Sequence, residues 1–415
     1  MELSKILVLA DESANWKIAG LRQLDRVALE INEFCHSQAK DHASVCVWWK
    51  PAITHERRWL PENERLTHVY LTDCAKSFAD KSFDAALSTR LLLYRGGLAE
   101  FVAAQRRRSK IIHAVSSIEP WQQSFDQVEM IANHADADFA GRKRWEYVRN
   151  AEEIASCAKR LLRASAKSED GLVSRFINRP VSRWVSRVLL KFSVTPNQCS
   201  LLTSLIVIPA CIALAYGNYF GFVIGTALLQ LHSMLDGCDG EIARAKYVES
   251  ERGRNFDAFC DLTATLLFVL SLGIGLFRRP TVAGWTRSTY LGESILSFLF
   301  LAMQWSVSRR QHASFGQLSR GALDSIGRRV TSVSSLQNER RISDSAVHLL
   351  STKLVPLLYE ITKRDIVFFV FALLALANLS PWILHCVLVF LLTSFALTTK
   401  SLYRRPVRNI NPAAR

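Results

Sequence analysis

Asp236, Asp239, Asp257 and Asp261 are the residues whose type and spacing most clearly invite chemistry, in the stretch LDGCDGEIARAKYVESERGRNFDAFCDLTA. The first two are three apart and the last two are four apart, so each pair shares one face of a helix. Two such helices side by side would converge four carboxylates on one point. Carboxylates gathered beside apolar segments repel one another and lose solvation. Divalent cations between them make the arrangement reasonable, and all-oxygen ligands suit Mg²⁺ or Mn²⁺ rather than zinc or copper. Magnesium sites of this kind commonly hold a substrate phosphate as well. Gly240 and Ala243 remove side-chain bulk beside the carboxylates, which lets a nucleotide approach the backbone, and Arg244 can grip a phosphate in a two-pronged fashion. The bland alternative is a solvated loop with chance acidic residues. The position of this stretch against two apolar runs argues against it.

The elements that must position these residues are long and apolar. Six segments lie near 196–216, 219–240, 255–277, 288–306, 365–380 and 382–400. Each is close to the roughly 20 residues needed to cross a bilayer, the fifth being short. Thr195-Pro196-Asn197-Gln198 opens the first, with Thr195 as cap, Pro196 at the first helical position and Gln198 at capping-box spacing. Ahead of it, Gly171–Leu190 (GLVSRFINRPVSRWVSRVLL) carries Arg175, Arg179, Arg183 and Arg187 every four residues, with Phe176, Val181, Trp184, Val185 and Leu189 largely on another face. That pattern predicts an amphipathic helix lying in a membrane interface, kinked or interrupted at Pro180. Basic residues in the 241–254 loop, the 307–365 connection and the tail place both termini in the cytoplasm by the positive-inside rule. Arg278, Arg279 and Arg287 fall on the opposite side and are an exception to it.

Residues 1–165 read differently. Strands are predicted at Lys5–Ala10, Ser44–Trp49, His68–Thr72 and Lys110–Val115, with a helical period over Asp25–Phe34, and this alternation predicts a parallel sheet flanked by helices. A polar hinge, 166–172, follows. The organisation predicted is a soluble domain over 1–165, a hinge and interfacial helix over 166–190, a helical membrane domain over 191–403 and a basic tail over 404–415. The net charge of +15 could serve nucleic acid, anionic lipid or phosphorylated substrates. The basic clusters sit beside the apolar segments, and no zinc finger, RNA-binding aromatic motif or long basic tail is present. A lipid bilayer and a phosphate substrate are therefore the expected partners, and nucleic acid is not. Nine cysteines without a CxxC pair read as buried small residues rather than as disulfides or a zinc site. The first apolar run, Ile6–Ala10, is too short for a secretory signal.

The pattern Asp236-x2-Asp239-Gly240-x2-Ala243-Arg244-x8-Gly253-x3-Asp257-x3-Asp261 resembles, without a mismatch, the signature of CDP-alcohol phosphotransferases. The resemblance covers roughly residues 171–403 and implies a six-helix membrane fold. It also implies that Asp236, Asp239, Asp257 and Asp261 bind Mg²⁺ or Mn²⁺, with Asp261 doubling as general base. Thr195, Asn197, Gly240, Ala243, Arg244 and Gly253 would hold the CDP moiety. The implied reaction joins a CDP-linked donor to an alcohol or phospho-alcohol acceptor and releases CMP. Relatives are often homodimers, so a homodimer is implied too. Cys238 falls at a variable position of the signature and reads as packing.

Lys363-Arg364-Asp365, together with Asp170-Gly171, Ser174-Arg175 and Asn178-Arg179, resembles bifunctional inositol-phosphate cytidylyltransferase/di-inositol-phosphate-phosphate synthases. By that resemblance, residues 1–165 form an α/β nucleotidyltransferase-like, Rossmann-like domain, and Lys363 and Arg364 are candidates for an acceptor phosphate. Leu7–Ala10 is similar to the first strand of such domains, and Ile18-Ala19-Gly20 with Leu24–Val27 to the helix that follows the nucleotide loop. The loop itself departs from the family: residues 10–17 (ADESANWK) contain neither the glycines nor the arginine that would hold a triphosphate. The domain is therefore expected to have lost catalysis, with Asp73 and Asp138 as relics of metal ligands or ordinary turn residues. His312 and His348 read as solvated. A phospholipid synthase using CDP-diacylglycerol, and a non-catalytic scaffold or transporter, are the competing readings.

Overall fold

The structure, a computed structural model, describes residues 3–38, 42–73, 83–108, 121–134, 144–164, 173–279, 286–310 and 364–403. The chain forms two units. One comprises Met1–Lys167, Arg183–Val194 and Gly240–Glu249; the other comprises Ser168–Ser182, Thr195–Asp239 and Ser250–Arg415.

In the first unit β1 (Lys5–Ala10) leads through a short turn into the hairpin β2 (Lys17–Ile18) and β3 (Leu21–Arg22), then α1 (Gln23–Ser37). There follow β4 (Ala43–Trp49), β5 (Val69–Asp73), β6 (Ala85–Ser88) and β7 (Leu91–Leu93), then α2 (Gly97–Arg108), α3 (Trp121–His134), β8 (Trp145–Tyr147) and α4 (Ile154–Ala164). Four strands form a parallel sheet in the order β5-β4-β1-β6, while β7 and β8 pair antiparallel. β1 is buried on both faces, which is why it reads as the unbroken apolar run ILVLA. The parallel sheet predicted from sequence is thus present. β6, β7 and β8 were not anticipated, because they are short and lack the alternation that marks a half-buried strand. The strand predicted at 110–115 lies outside the described residues. One correction concerns the thiols: Cys46, on β4, is disulfide-bonded, whereas Cys35, Cys157, Cys199, Cys211, Cys238, Cys260 and Cys386 are not in disulfides.

A five-residue π-turn, Ser174–Asn178, runs into α5 (Arg179–Leu189). The helical run is continuous from Val173, and Pro180 stands just after the π-turn, so the run is locally irregular at the proline, as the sequence predicted. The remaining helices are α6 (Pro196–Ser204), α7 (Val207–Ala215), α8 (Tyr219–Leu235), α9 (Gly237–Ala245), α10 (Glu251–Arg278), α11 (Arg287–Arg310), α12 (Arg364–Leu376) and α13 (Ser380–Tyr403). All six apolar segments are therefore helical, but not as six uniform rods. α6 and α7 are separated by an irregular turn at Leu205–Ile206. Pro209 cannot donate to the Leu205 carbonyl, and the Ile208 N–H takes that acceptor instead at 3.3 Å. Among the described residues, Pro196–Ala215 and Glu251–Arg278 are long and apolar enough to cross a membrane, and Asp365–Leu376 and Ser380–Leu392 are apolar but shorter.

The polarity of the second unit is inverted. Leu201, Leu205, Ile208, Ile212, Phe220, Ile224, Ile295, Leu299, Leu373 and Val389 are exposed, whereas Ser200, Thr203, Thr226, Gln230, His232, Ser271, Ser294 and Gln304 are buried. In water each exposed Leu-sized side chain forgoes roughly 1.5–3 kcal/mol of burial, and so many together do not occur on an ordinary soluble surface. Inside, helices approach through small residues. A Cβ on Gly275 would lie 2.0 Å from the Leu214 carbonyl oxygen, and one on Gly217 would lie 2.3 Å from the Gly275 carbonyl oxygen. α7 and α10 thus touch backbone to backbone, a contact available only to residues without a side chain.

Candidate metal and nucleotide site

α8 brings Asp236 to its C-cap, where the backbone N–H of Asp236 still donates to the His232 carbonyl at 2.9 Å. The helix breaks there and restarts at Gly237, so the sequence reading of Asp236 and Asp239 on a single helix end is corrected: Asp236 closes α8 and Asp239 lies in the first turn of α9. Gly237 has a local reason. A Cβ at that position would sit 2.7 Å from Nη1 of Arg179. α10 begins cleanly because the Ser250 hydroxyl accepts from the Gly253 N–H at 3.0 Å. Asp257 and Asp261 then fall one turn apart, as their spacing requires.

Ligand atoms of His232, Asp236 and Asp261 lie within 4.8 Å of one another. Asp257 faces Asp236, Asp239 and Asp261, and its carboxyl meets that of Asp239 directly. Asp239 is buried and accepts from the Ser200 hydroxyl. The four carboxylates of the sequence pattern are therefore brought together, with an imidazole beside them. Such a concentration of like charge, with Asp239 buried and the other three partly buried, fits an oxygen-rich divalent-cation site. His232 is a residue that sequence reasoning missed. Its Nδ1 donates to the Thr203 carbonyl at 3.1 Å, which orients the ring. The available signal was its spacing, four residues before Asp236 on the same helix.

Arg179 also differs from expectation. The sequence placed it with Arg175, Arg183 and Arg187 on a water-facing stripe. Arg175 is exposed, but Arg179 is buried together with Asn178, Ser182 and Ser186, while Phe176, Trp184 and Val188 point outward. Asn178 explains the inward face: its amide donates to the Ser233 hydroxyl at 3.4 Å and its oxygen accepts from Gln230 at 3.1 Å. Cys238 is buried, its thiol against the Ser182 carbonyl at 3.4 Å, in keeping with packing.

Of the residues assigned to CDP, Thr195 caps α6 in a full capping box with Gln198. Asn197 lies beside Gly253, its Oδ1 being 3.4 Å from where a Cβ would stand. Gly240, Ala243 and Arg244 follow Asp239 along α9, and the Arg244 guanidinium folds back over Gly240, 3.1 Å from a Cβ there. Lys363, Asp138, His312 and His348 lie outside the described residues. Arg364 is the first residue of α12. Asp365 accepts from the backbone N–H of Ser174 at 2.6 Å, joining the two segments that the sequence had linked.

The C-terminal end of β1 is where a parallel sheet of this kind would take a nucleotide. Here Asp11 is buried, paired with Arg90 at 2.7 Å, and accepts from the backbone N–H of Ser13 at 2.9 Å. Its carboxylate also accepts from the Ser13 and Thr89 hydroxyls, at 2.5 and 3.3 Å. Trp59 donates to Asn15 at 2.9 Å across the same turn. The turn is closed on itself, with no glycine cradle. Asp73 simply ends β5.

Residues 193–323 match the family model described as CDP-alcohol phosphatidyltransferase. The chain is also similar to proteins named "Bifunctional IPC transferase and DIPP synthase". It is 38% identical to that of Rubrobacter xylanophilus over 146 residues, 35% of this chain and 33% of the relative. It is 36% identical to that of Archaeoglobus fulgidus over 140 residues, 34% of this chain and 28% of the relative. With the Aquifex aeolicus protein it shares 34% identity over 157 residues, 37% of this chain and 35% of the relative. The chain thus matches about a third of the length of these relatives. The motif is complete, its carboxylates converge, and the match to the CDP-alcohol phosphatidyltransferase family model over residues 193–323 spans all of it.

Proposed function

We propose that this protein is a membrane enzyme that transfers a phospho-alcohol from a CDP-linked donor to an acceptor hydroxyl and releases CMP. The observation that carries the reading is the convergence of Asp236, Asp239, Asp257 and Asp261 from the end of α8, the first turn of α9 and the N-terminal half of α10, in a segment that matches the CDP-alcohol phosphatidyltransferase family model. Those aspartates would hold Mg²⁺ or Mn²⁺, which would neutralise the pyrophosphate and ease departure of CMP. Arg244 would grip a donor phosphate, with Gly240 and Ala243 leaving room for the nucleotide, and Thr195, Asn197 and Gly253 are the further candidates for the CDP moiety. Asp261 takes the proton from the acceptor hydroxyl, whose oxygen bonds to the phosphorus distal to cytidine as the bond to CMP breaks. The names of the relatives, with Lys363-Arg364-Asp365, favour inositol phosphate as donor group or acceptor. Lys363 and Arg364 would bind the acceptor phosphate.

The inverted polarity of the helical unit supports burial in a bilayer as six spans, with basic loops and both termini on the cytoplasmic side. The outward Phe176, Trp184 and Val188 suit an interfacial position for α5.

The test is CMP release by the purified full-length protein in detergent with Mg²⁺ or Mn²⁺. CDP-inositol and CDP-diacylglycerol serve as donors, and inositol, inositol phosphate and glycerol phosphate as acceptors. Acceptor-dependent release with CDP-inositol is the expected result. Release with CDP-diacylglycerol alone would move the protein to phospholipid synthesis, and no release with any pair would overturn the reading. The self-closed turn after β1 adds a second expectation. The same protein, given CTP and inositol phosphate, should release no pyrophosphate above a protein-free control, and turnover there would show that the first domain is an active cytidylyltransferase.

A further inference from the structure

The segment 240–249, which carries Gly240, Ala243 and Arg244, packs within the same unit as the N-terminal α/β fold. α9 ends there in an unusual way. The Val248 N–H returns to the Ala243 carbonyl at 2.9 Å and the Tyr247 N–H to the Arg244 carbonyl at 3.4 Å, the paired bonds of a Schellman stop. The stop needs a left-handed residue, and glycine is the usual choice. Here Tyr247 occupies it, at φ 54°, at a cost of about 1–2 kcal/mol.

That strain is held by residues far earlier in the chain. The Tyr247 hydroxyl donates to Glu30 at 2.7 Å, and Glu30, on α1, also accepts from the Gly96 N–H at 2.9 Å. The fully buried guanidinium of Arg26 donates to the Ala245 carbonyl at 3.0 Å and to the Ile18 carbonyl at 2.6 Å, with the Tyr247 ring 5.8 Å away. Arg65 donates to the Tyr247 carbonyl at 2.9 Å and to the Lys246 carbonyl at 3.3 Å. Arg95 bridges Glu33 and Glu249, and Glu249 stands 4.0 Å from Arg244. A line of charge therefore runs from α1 to the arginine assigned to the donor phosphate. Burial pushes the Tyr247 phenol well above its ordinary range, so it stays an O–H donor at physiological pH.

We propose that the N-terminal fold acts as a clamp on the nucleotide-gripping segment. Arg26, Glu30 and Arg65 fix the end of α9 at Tyr247, and Arg95 holds Glu249, which orients Arg244 for a phosphate of the CDP moiety. These are positioning residues, and their role rests on the transferase reading above. It explains why a domain with a closed nucleotide turn keeps Arg26 and Glu30 buried on α1: each has a partner, the Ala245 carbonyl or the Tyr247 hydroxyl, in the segment that follows Asp239.

The test uses full-length Arg95→Ala, Tyr247→Phe and Tyr247→Gly proteins in detergent, with KM for the CDP donor, kcat and Mn²⁺ affinity measured for each. Each variant should raise the donor KM by roughly five- to tenfold, the size of a lost hydrogen bond or ion pair, with kcat within about twofold and Mn²⁺ affinity unchanged. Tyr247→Gly is the informative variant, since it relieves the backbone strain but removes the clamp; a donor KM at the wild-type value would show that only the helix stop matters and would overturn the proposal. Arg160→Ala breaks a similarly exposed ion pair with Glu146 elsewhere in the same fold and should leave the donor KM unchanged. An equal rise there would reduce the effect to general loosening and also overturn it. A wild-type protein that neither binds CDP in the presence of Mn²⁺ nor releases CMP would overturn the transferase reading and the clamp with it, whereas an active wild type with indifferent variants would overturn the clamp alone.

Discussion

Asp261→Asn should lower acceptor-dependent CMP release by roughly 10²–10⁴-fold, the range general bases contribute. The change is isosteric, so the helix and the neighbouring Asp236 and His232 keep their places, but the amide can neither carry the negative charge nor take a proton. Asp261 belongs both to the group of ligand atoms within 4.8 Å and to the carboxylates facing Asp257, so the substitution removes charge from the metal as well as the base. The two losses can be separated. Asp236→Asn should be partly rescued by raising Mn²⁺, because added cation offsets a weakened ligand, whereas Asp261→Asn should not be, because no concentration of metal supplies the missing base. Wild-type kcat in Asp261→Asn at saturating Mn²⁺ would remove Asp261 from the chemistry.

The second large effect is on stability. Gly275→Ala places a methyl 2.0 Å from the Leu214 carbonyl oxygen and 3.3 Å from the Phe222 ring. Neither the backbone of α7 nor the buried ring can retreat without opening the helix pair, and overpacking of this kind costs about 1–3 kcal/mol or more. The thermal unfolding midpoint in detergent should fall by several degrees. Gly292→Ala is the matched control: it also lies within a helix, but nothing stands within 4 Å of its Cβ position. That change should be neutral or raise stability by about 0.5–1 kcal/mol through lower backbone entropy in the unfolded chain. Equal destabilisation by both would mean that the α7–α10 contact is not what limits the helical unit.

Asp257 and Asp261 were legible in the sequence because their spacing is itself geometric: four residues along one helix is one face, whereas the break between Asp236 and Asp239 had no such mark. The parallel sheet was legible for a similar reason, since a strand covered on both sides must read as an unbroken apolar run. Other features depend on partners distant in the chain. Arg179 shares a four-residue rhythm with three arginines that are not fully buried, and only Asn178, Gln230 and Ser233 meeting across helices shows which way that face turns. His232 has only its four-residue spacing from Asp236 as a mark in the sequence, and the fold is what sets it beside Asp236 and Asp261. Tyr247 carries no sequence mark at all, because a left-handed tyrosine is defined by what holds it. The irregular turn at Leu205 could have been read from Pro209 four residues later, whereas the short strands β6 to β8 could not, since three or four residues give no period to detect.

The bond between Arg26 and the Ala245 carbonyl spans 219 residues of chain. On the ribosome the N-terminal fold is complete in sequence long before its most deeply buried cation can find that acceptor. Until residue 245 has been made, α1 presents a guanidinium with one of its carbonyl partners still missing, and closing so long a loop is slow as well as entropically costly. The last step in maturing the N-terminal fold is therefore tied to synthesis of the donor-binding segment. A chain cut between the two halves would strand a desolvated charge at the cut surface, making such a fragment prone to aggregation for a reason unrelated to its own sheet.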